Sequence, residues 1–510
     1  MSDPQKAEKA PLIGRLLMDG RAAAFIVALA MAQQMLGHQN CDNTWLYTAA
    51  ERFLEGARPY VDFIETNPPA SFLIYLPGVG LARLLGLPVE FVVCACVFAF
   101  GLGVLLFTGW ILRRAHLFKS VDAGLLFNLA VFTFLFVAGV SFAEREHLAA
   151  LGLLPLLAVY GARAHGAPSR FADAVLAGLI AGLMIVIKPH FALAALCPLF
   201  AVMVRQGSLR PAFHAENFVI AGLCLAYVAL VKWRYPEFFA ILPVLIDVYV
   251  AMKRPWLELV SEACFLINVI IVVGVLAIGR RACLQVLIGL PLCASLGFMG
   301  AYVIQMKGYV NHALPGVCMA LLAAGALAVP AFRDLCLRGA DTPLWAAMRR
   351  PILFGLLPVM VGAPILFGAF LQFSDWEEHR GLQPAVQRLA PPQPRMISLS
   401  GQLDVGFPLV RCVGGVWVGR PHSLWLTIAS LTLIGARIGD DAYRARLMTY
   451  MDQDAGMFLE DVRTGRPDVI LVDKDERTTR AMGHADIVAA LSDYAPRETV
   501  GEITLWMRKP

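Results

Sequence analysis

What this 510-residue chain lacks most is charge. Only 16% of its residues are Asp, Glu, Lys or Arg, while 58% are hydrophobic. Soluble domains carry roughly 25% charged residues, so the bilayer is the solvent for most of this chain. It also lacks a strong net charge. The balance of +5 comes without a Lys/Arg-rich run or basic–aromatic interleaving, which excludes nucleic acid as a partner. The eleven cysteines include no CxxC pair. Most stand in apolar runs, such as Cys94, Cys96, Cys197 and Cys318, where Cys behaves as a small hydrophobe. Neither a disulfide framework nor a zinc site is indicated. Cys41 and Cys412 stand in more polar surroundings, which leaves room for one bridge. No 20–50-residue repeat is visible. No small-residue cleavage site follows the first apolar run, which reads as an uncleaved first span.

A bilayer core of ~30 Å needs roughly 20 apolar residues in a helix. About eleven runs approach that length: 21–38, 89–112, 121–140, 147–162, 172–188, 190–204, 216–233, 259–279, 282–304, 311–329 and 351–372. Lys/Arg bias in short loops orients them. With Lys6, Lys9, Arg15 and Arg21 inside, every other inside connection is also basic: Arg113, Arg114 and Lys119; Arg163 and Arg170; Arg205 and Arg210; Arg280 and Arg281; Arg333, Arg338, Arg349 and Arg350. Counting Ser71–Gly86 as a span would break this pattern. It is therefore expected to be an interfacial helix on the outer surface, interrupted by Pro77 and Gly78. The polar 39–88 loop, the Ser141–Glu146 turn, the Lys188–His190 break, the 233–258 loop and the 305–313 turn then share the outer face. After Phe373 the composition turns polar and Pro-rich. Strand-like runs follow at Met396–Leu399, Val413–Val418, Asp468–Val472 and Glu502–Met507, with helix-like stretches at Asp441–Val462 and Thr478–Leu491 and a short buried helix in Leu424–Ile438. The expected architecture is a polytopic α-helical membrane domain, 1–372, and a small α/β domain outside the membrane, 373–510.

Four groups of residues can carry chemistry. Asp42, just past the first span, is costly at that depth unless solvated, paired or functional; it, or Asn43, also fits a helix N-cap. Tyr60, Asp62, Glu65 and Asn67, ahead of Pro68–Pro69, offer acceptors for sugar hydroxyls, or simply a solvated loop; Asp62 is the more structural of them. Glu144, Arg145, Glu146 and His147 crowd one short turn, either self-neutralising or placing a second acid. On the outer side, Lys188, His190, Lys232, Arg234, Lys253, Arg254, Lys307 and His312 run against the positive-inside trend. Snorkelling to headgroups explains part of that set; an anionic ligand explains the rest, with Lys188 and Lys307 the preferred phosphate contacts. Carboxylates and cations on one face suit transfer from a phosphate leaving group to a hydroxyl.

Asp42 followed by Tyr47, Ala49, Ala50, Gly56, Pro59, Tyr60, Asp62, Phe63, Glu65, Asn67, Pro68 and Pro69 resembles the start of the GT-C superfamily. That superfamily comprises polytopic transferases using lipid-phosphate-linked sugars, among them protein mannosyltransferases and lipid A aminoarabinose transferases. The resemblance implies an inverting glycosyltransferase. Asp42 maps to the general base and Glu144 or Glu146 to a second acid. The implied donor is a polyprenyl-phosphate sugar and the acceptor a cell-envelope glycan or lipid. It implies a bacterial inner membrane, a cytoplasmic N-terminus and a periplasmic C-terminal domain. Two departures stand out: Asn43 follows Asp42 in place of a second acid, and the EREH turn lacks the protein mannosyltransferase spacing. A divalent cation is compatible with Asp42, the EREH acids and His190, but no ligand spacing demands one. The competing readings are a flippase of a lipid-linked sugar and a surface-polysaccharide polymerase or ligase. The transporter reading expects polar residues at the midplane of broken helices.

Overall fold

The computed structural model describes residues 20–37, 39–118, 122–167, 169–338, 362, 376–436 and 439–509, without the side chains of 20, 332–338 and 376–380. The span expected at 351–372 lies outside the described residues apart from Gly362, as do Lys6, Lys9, Arg15, Lys119, Arg349 and Arg350. Each of the other expected spans is a helix. They are Gly20–Leu36, Val89–Arg114, Ala123–Val131 with a π-turn at Phe132–Phe136, Arg145–Ala164 and Phe171–Ile187. Further along come Ala192–Gln206, Ala215–Arg234, Ala263–Gly279, Val286–Gln305 and Val310–Arg338. Six described helices are long and apolar enough to cross a membrane by length and composition. The chain is a multi-pass membrane protein.

The described residues divide into two compact units. The first gathers described residues of 1–37, 94–228 and 254–372. Its centre is Arg145–Ala164, buried along almost its whole length, whereas Ala215–Arg234 is largely exposed. Small residues permit the packing, because helices in lipid associate by close approach rather than by hydrophobic drive. A Cβ on Gly178 would lie 2.6 Å from the Glu216 carbonyl oxygen, so only glycine lets Phe171–Ile187 meet the start of Ala215–Arg234. Phe171–Ile187 stops at Lys188, extended at φ −141° and ψ 111°, because the following Pro189 disfavours helical backbone there.

The second unit gathers 38–93, 229–253 and described residues beyond 373. Its first helix is Cys41–Leu54. The expected interfacial helix is Ala70–Leu73 and Leu76–Leu85, broken at Ile74–Tyr75 and not at Pro77–Gly78. Pro77 falls in the first turn of the second piece, where its missing N–H has no partner to lose. The 233–258 loop is largely helical, with Pro236–Val244 running into a π-turn at Leu245–Val250. Val248 of that turn shares a core with Leu426, Ala429, Leu433 and Leu447, and Asp247 accepts hydrogen bonds from Arg446 and Tyr450.

The C-terminal sheet comprises β1 Arg395–Leu399, β2 Val416–Trp417, β3 Val469–Asp473, β4 Tyr494–Val500 and β5 Ile503–Arg508, in the order β2-β1-β3-β5-β4. β1, β2 and β3 are parallel; β5 runs antiparallel to β3 and β4. β3 is buried at every position, as a strand covered on both faces must be. The expected strand at Val413–Val418 shrinks to two residues because Gly414, at φ +65°, turns the chain. Thr478–Leu491 is two helices, Glu476–Ala481 and Ala485–Leu491, parted at Gly483. The Leu424–Ile438 helix is Trp425–Gly435, and Asp441–Gly465 follows. β4 is a polar edge strand with a register shift between Pro496 and Glu498, and it carries no apolar alternation to betray it. Cys41 and Cys412 are both free thiols, so the bridge between them is not formed.

Asp454 is buried and accepts from the Thr427 amide at 2.9 Å and hydroxyl at 2.7 Å, with no cation among these partners. Burial lifts it to about 6 from an ordinary 3.8, the Thr427 hydrogen bonds opposing. A carboxyl raised on folding binds more protons in the native state, so its stabilisation is present below pH 4 and is lost between about pH 4 and 6. At ~1.4 kcal/mol per pKa unit, the loss is about 3 kcal/mol. Asp454→Asn is expected to erase that loss. The check is the difference in thermal midpoint between variant and wild type, measured across that interval; a pH-independent difference contradicts the assignment.

Candidate functional site

In the second unit, the first loop is built on Cys41–Leu54. Its N-cap is Asn40, whose side-chain oxygen accepts from the Asp42 amide at 2.8 Å and the Asn43 amide at 3.4 Å. The cap expected of Asp42 or Asn43 therefore belongs to Asn40, two residues earlier. Asp42 stands in the first turn, where a carboxylate suits the positive end of the helix. Asn43 is buried and accepts from the Tyr75 hydroxyl at 3.3 Å.

The segment expected to bind sugar is largely occupied with itself. Glu65 is buried; one oxygen accepts from the Trp45 indole N–H at 2.6 Å, the other from the Asn67 amide at 3.0 Å and Nδ2 at 2.6 Å. The Tyr60 hydroxyl donates to the Asn67 carbonyl at 2.8 Å, and Tyr60 itself sits at φ +65°. Asp62 accepts from the Arg58 amide at 2.7 Å, which holds its carboxyl below the usual range. These contacts staple the loop onto the helix. They make Glu65, Tyr60 and Asn67 organisers of the loop through the groups named, a role that sequence alone assigned only to Asp62.

A residue that sequence reading missed fastens the loop. Arg411, on the short helix Leu409–Cys412, donates through Nη1 to Glu51 at 2.5 Å and to the Thr48 hydroxyl at 3.0 Å, and through Nε to Glu90. Burial works against its charge, but the two carboxylates raise its pKa above the ordinary arginine value. Arg52 adds bonds to the Gly419 carbonyl at 2.7 Å and the Asp62 carbonyl at 2.6 Å. The side chains that Arg411 binds lie 321, 360 and 363 residues away along the chain, so no local pattern marks it.

In the first unit, three sequence-distant turns meet. Glu146, in the first turn of Arg145–Ala164, is fully buried and pairs with Lys188. His312, in the first turn of Val310–Arg338, places Nε2 3.4 Å from Lys188 Nζ and 3.5 Å from Glu146 Oε1. His312 Nε2 faces a donor in Lys188 and an acceptor in Glu146, so it can accept from the first or donate to the second. Among the described residues, Glu146 Oε2 and His312 Nδ1 are buried here without a hydrogen-bond partner. His190 Nε2, close by in sequence to Lys188, lacks one as well. Glu144 and Arg145 are buried beside Glu146 in the turn. Lys307 is buried in the next turn, where Gly308 takes φ +69° and a Cβ would meet Arg254 Cδ at 2.9 Å. Arg254 pairs with Glu262, and its amide donates to the Met306 carbonyl at 2.9 Å.

His147 differs from the sequence expectation of a substrate contact. Its Nδ1 accepts from the Ala143 amide at 3.1 Å and its Nε2–H donates to the Phe134 carbonyl at 2.6 Å. Both ring nitrogens hold backbone, including Ala143 at φ +67°, so His147 shapes the turn that presents Glu146. Among the described residues no group of three or more His, Cys, Asp or Glu side chains could hold a metal ion.

No family model matches this chain, and no curated protein matches it. Solved structures do. ArnT from Cupriavidus metallidurans in the apo state superposes with a TM-score of 0.55 at 15% identity, covering 95% of this chain and 97% of that one. The same protein bound to undecaprenyl phosphate gives 0.54 at 14% identity, with the same coverage. The chain shares the GT-C-like fold of these structures, helical spans followed by a C-terminal α/β region, over nearly its full length.

Replacing Arg411 with Ala is expected to lower stability by about 1.5–3 kcal/mol, the range for hydrogen bonds to charged groups, by stranding Glu51 and Glu90. Limited proteolysis in detergent should then cut within 55–69 faster than in the wild type. Adding Glu51→Gln and Glu90→Gln should restore part of the loss. An unchanged melting midpoint and cleavage rate contradict the lock.

Proposed function

We propose that this protein is a glycosyltransferase that moves a sugar from a polyprenyl-phosphate donor to an acceptor hydroxyl at the outer face of a bacterial inner membrane. One observation carries the reading. A buried ion pair, Glu146–Lys188, sits beside His312, with Glu146 Oε2 and His312 Nδ1 both unpaired among the described residues, in a fold whose solved member binds undecaprenyl phosphate. Buried polar groups are nearly always satisfied, so unpaired ones mark a place for a partner. Lys188 and His312 supply donors suited to phosphate oxygens.

The chemistry follows from these groups. The acceptor hydroxyl attacks the anomeric carbon from the side opposite the phosphate, and the configuration inverts. Asp42 takes the hydroxyl proton. The bond from the anomeric carbon to the phosphate oxygen breaks, and its electrons leave on polyprenyl phosphate. Lys188 and His312 stabilise the charge growing there, with Lys307 and Arg254 as further cations on the same side. Glu146 is the second acid; it holds Lys188 in place until phosphate arrives. Glu144 and Arg145 frame that turn.

Glu146 and His312 begin helices and Lys188 ends one, so the charged groups gather at helix ends and not at a midplane break. That favours transfer over transport. The basic inside loops orient the N-terminus to the cytoplasm and residues 373–510 to the periplasm. The acceptor is a cell-envelope glycan or lipid.

Purified protein supplied with a polyprenyl-phosphate sugar and envelope lipid should release free polyprenyl phosphate. Asp42→Asn should slow that release by about 10²–10⁴, the usual worth of a general base, with unchanged melting. Full activity in Asp42→Asn removes Asp42 as the base. Movement of intact lipid-linked sugar across vesicles without release removes the transferase reading.

A further inference from the structure

Three helices of the first unit share a chain of buried polar groups that the transfer chemistry does not use. Asn268, on Ala263–Gly279, donates through Nδ2 to the Ser295 hydroxyl at 2.9 Å. Ser295, on Val286–Gln305, donates in turn to the Gly316 carbonyl of Val310–Arg338 at 2.8 Å. Both side chains are buried, Ser295 completely. The receiving position has room only for glycine. A Cβ on Gly316 would lie 2.7 Å from Met299 Sδ and 3.2 Å from Asn268 Nδ2.

Polar side chains inside a membrane domain are rare and call for a reason. Stability is a weak one, because interhelical hydrogen bonds in membrane bundles contribute little on average. The place of Gly316 in its helix supplies a better one. It stands one helical turn beyond His312, the histidine set against Lys188 and Glu146. Between them is Pro315, which has no N–H and so cannot give the helical hydrogen bond to the Asn311 carbonyl. The turn that carries His312 is tied to its own helix by one bond fewer, and its position depends more on neighbouring helices. Ala313, directly after His312, packs in a core with Leu259, Cys264, Met299 and Tyr302. Apolar packing of that kind is non-directional. A hydrogen bond to one carbonyl has a preferred distance and angle, so it fixes rise and rotation as well.

We infer that Ser295 and Asn268 are positioning residues: through the Gly316 carbonyl they set the register of the His312 turn, and with it the aim of the His312 ring at the donor phosphate. This rests on the reading of His312 as a phosphate contact. Neither residue touches substrate in this role.

Equilibrium binding of polyprenyl phosphate to the full-length protein in lipid nanodiscs tests it, measured for Ser295→Ala, His312→Ala and the double variant. Ser295→Ala should weaken binding about two- to tenfold, the worth of one hydrogen bond. In the His312→Ala background the same change should cost nothing further, since a residue that acts through His312 then has nothing to position. Ser295→Thr, which keeps the hydroxyl, should bind like the wild type. Asn268→Leu, close in volume, should repeat the His312-dependent loss, and it decides the matter if Ser295→Ala does not fold. Unchanged binding in Ser295→Ala, an equal loss with and without His312, or no rescue by Ser295→Thr overturns the positioning role. Wild-type binding in His312→Ala, or no binding in the wild type, is a different failure: it removes the phosphate contact of the proposed function, and the positioning role with it.

Discussion

A buried ion pair between Glu146 and Lys188 is the constraint on which the first unit turns. Taking both charges out of water costs several kcal/mol each after relaxation, and a hydrophobic pair of similar volume would cost nothing. The arrangement persists only with compensation, and the compensation is local. His147 gives both ring nitrogens to the backbone of the turn. Pro189 ends the Lys188 helix at the right residue, and His312 stands against Lys188 on the third side. Part of the compensation is missing, since one oxygen of Glu146 and one nitrogen of His312 stay unpaired. The unpaired oxygen of Glu146 has room for a donor, while Lys188 remains the cation through which this site would meet an external anion.

The second unit shows a different economy. Its first loop is rich in acids, but most of them are consumed in holding the loop together: Glu65 by Trp45 and Asn67, Asp62 by Arg58, Glu51 and Glu90 by Arg411. Asp42 stands in the first turn of its helix, and Asn40 supplies the cap. The helix that carries Asp42 is clamped at Thr48 and Glu51 by the buried Arg411 guanidinium.

Much of this was legible in the chain. The apolar runs marked each described span to within a few residues, because a helix in lipid must be long and apolar and nothing else satisfies its backbone there. Charge bias grouped the EREH turn, Lys188 and the 305–313 turn on one face, and the meeting of Glu146, Lys188 and His312 accords with it. Pairings between distant segments were not legible. The roles of Arg411 and Glu65 depend on partners set by tertiary packing, and the edge strand β4 has no period to detect. The choice of Asn40 over Asp42 as cap was decided by where the chain leaves extended backbone, a matter of one or two residues that propensity does not resolve.

The central claim is that Lys188, held by Glu146, receives the donor phosphate. A structure determined with polyprenyl phosphate bound tests it most directly. The account predicts a phosphate oxygen within hydrogen-bond reach of Lys188 Nζ, with His312 turned toward the same group. A phosphate bound elsewhere, with the Glu146–Lys188 pair undisturbed and no donor from His312 directed at it, would contradict the account.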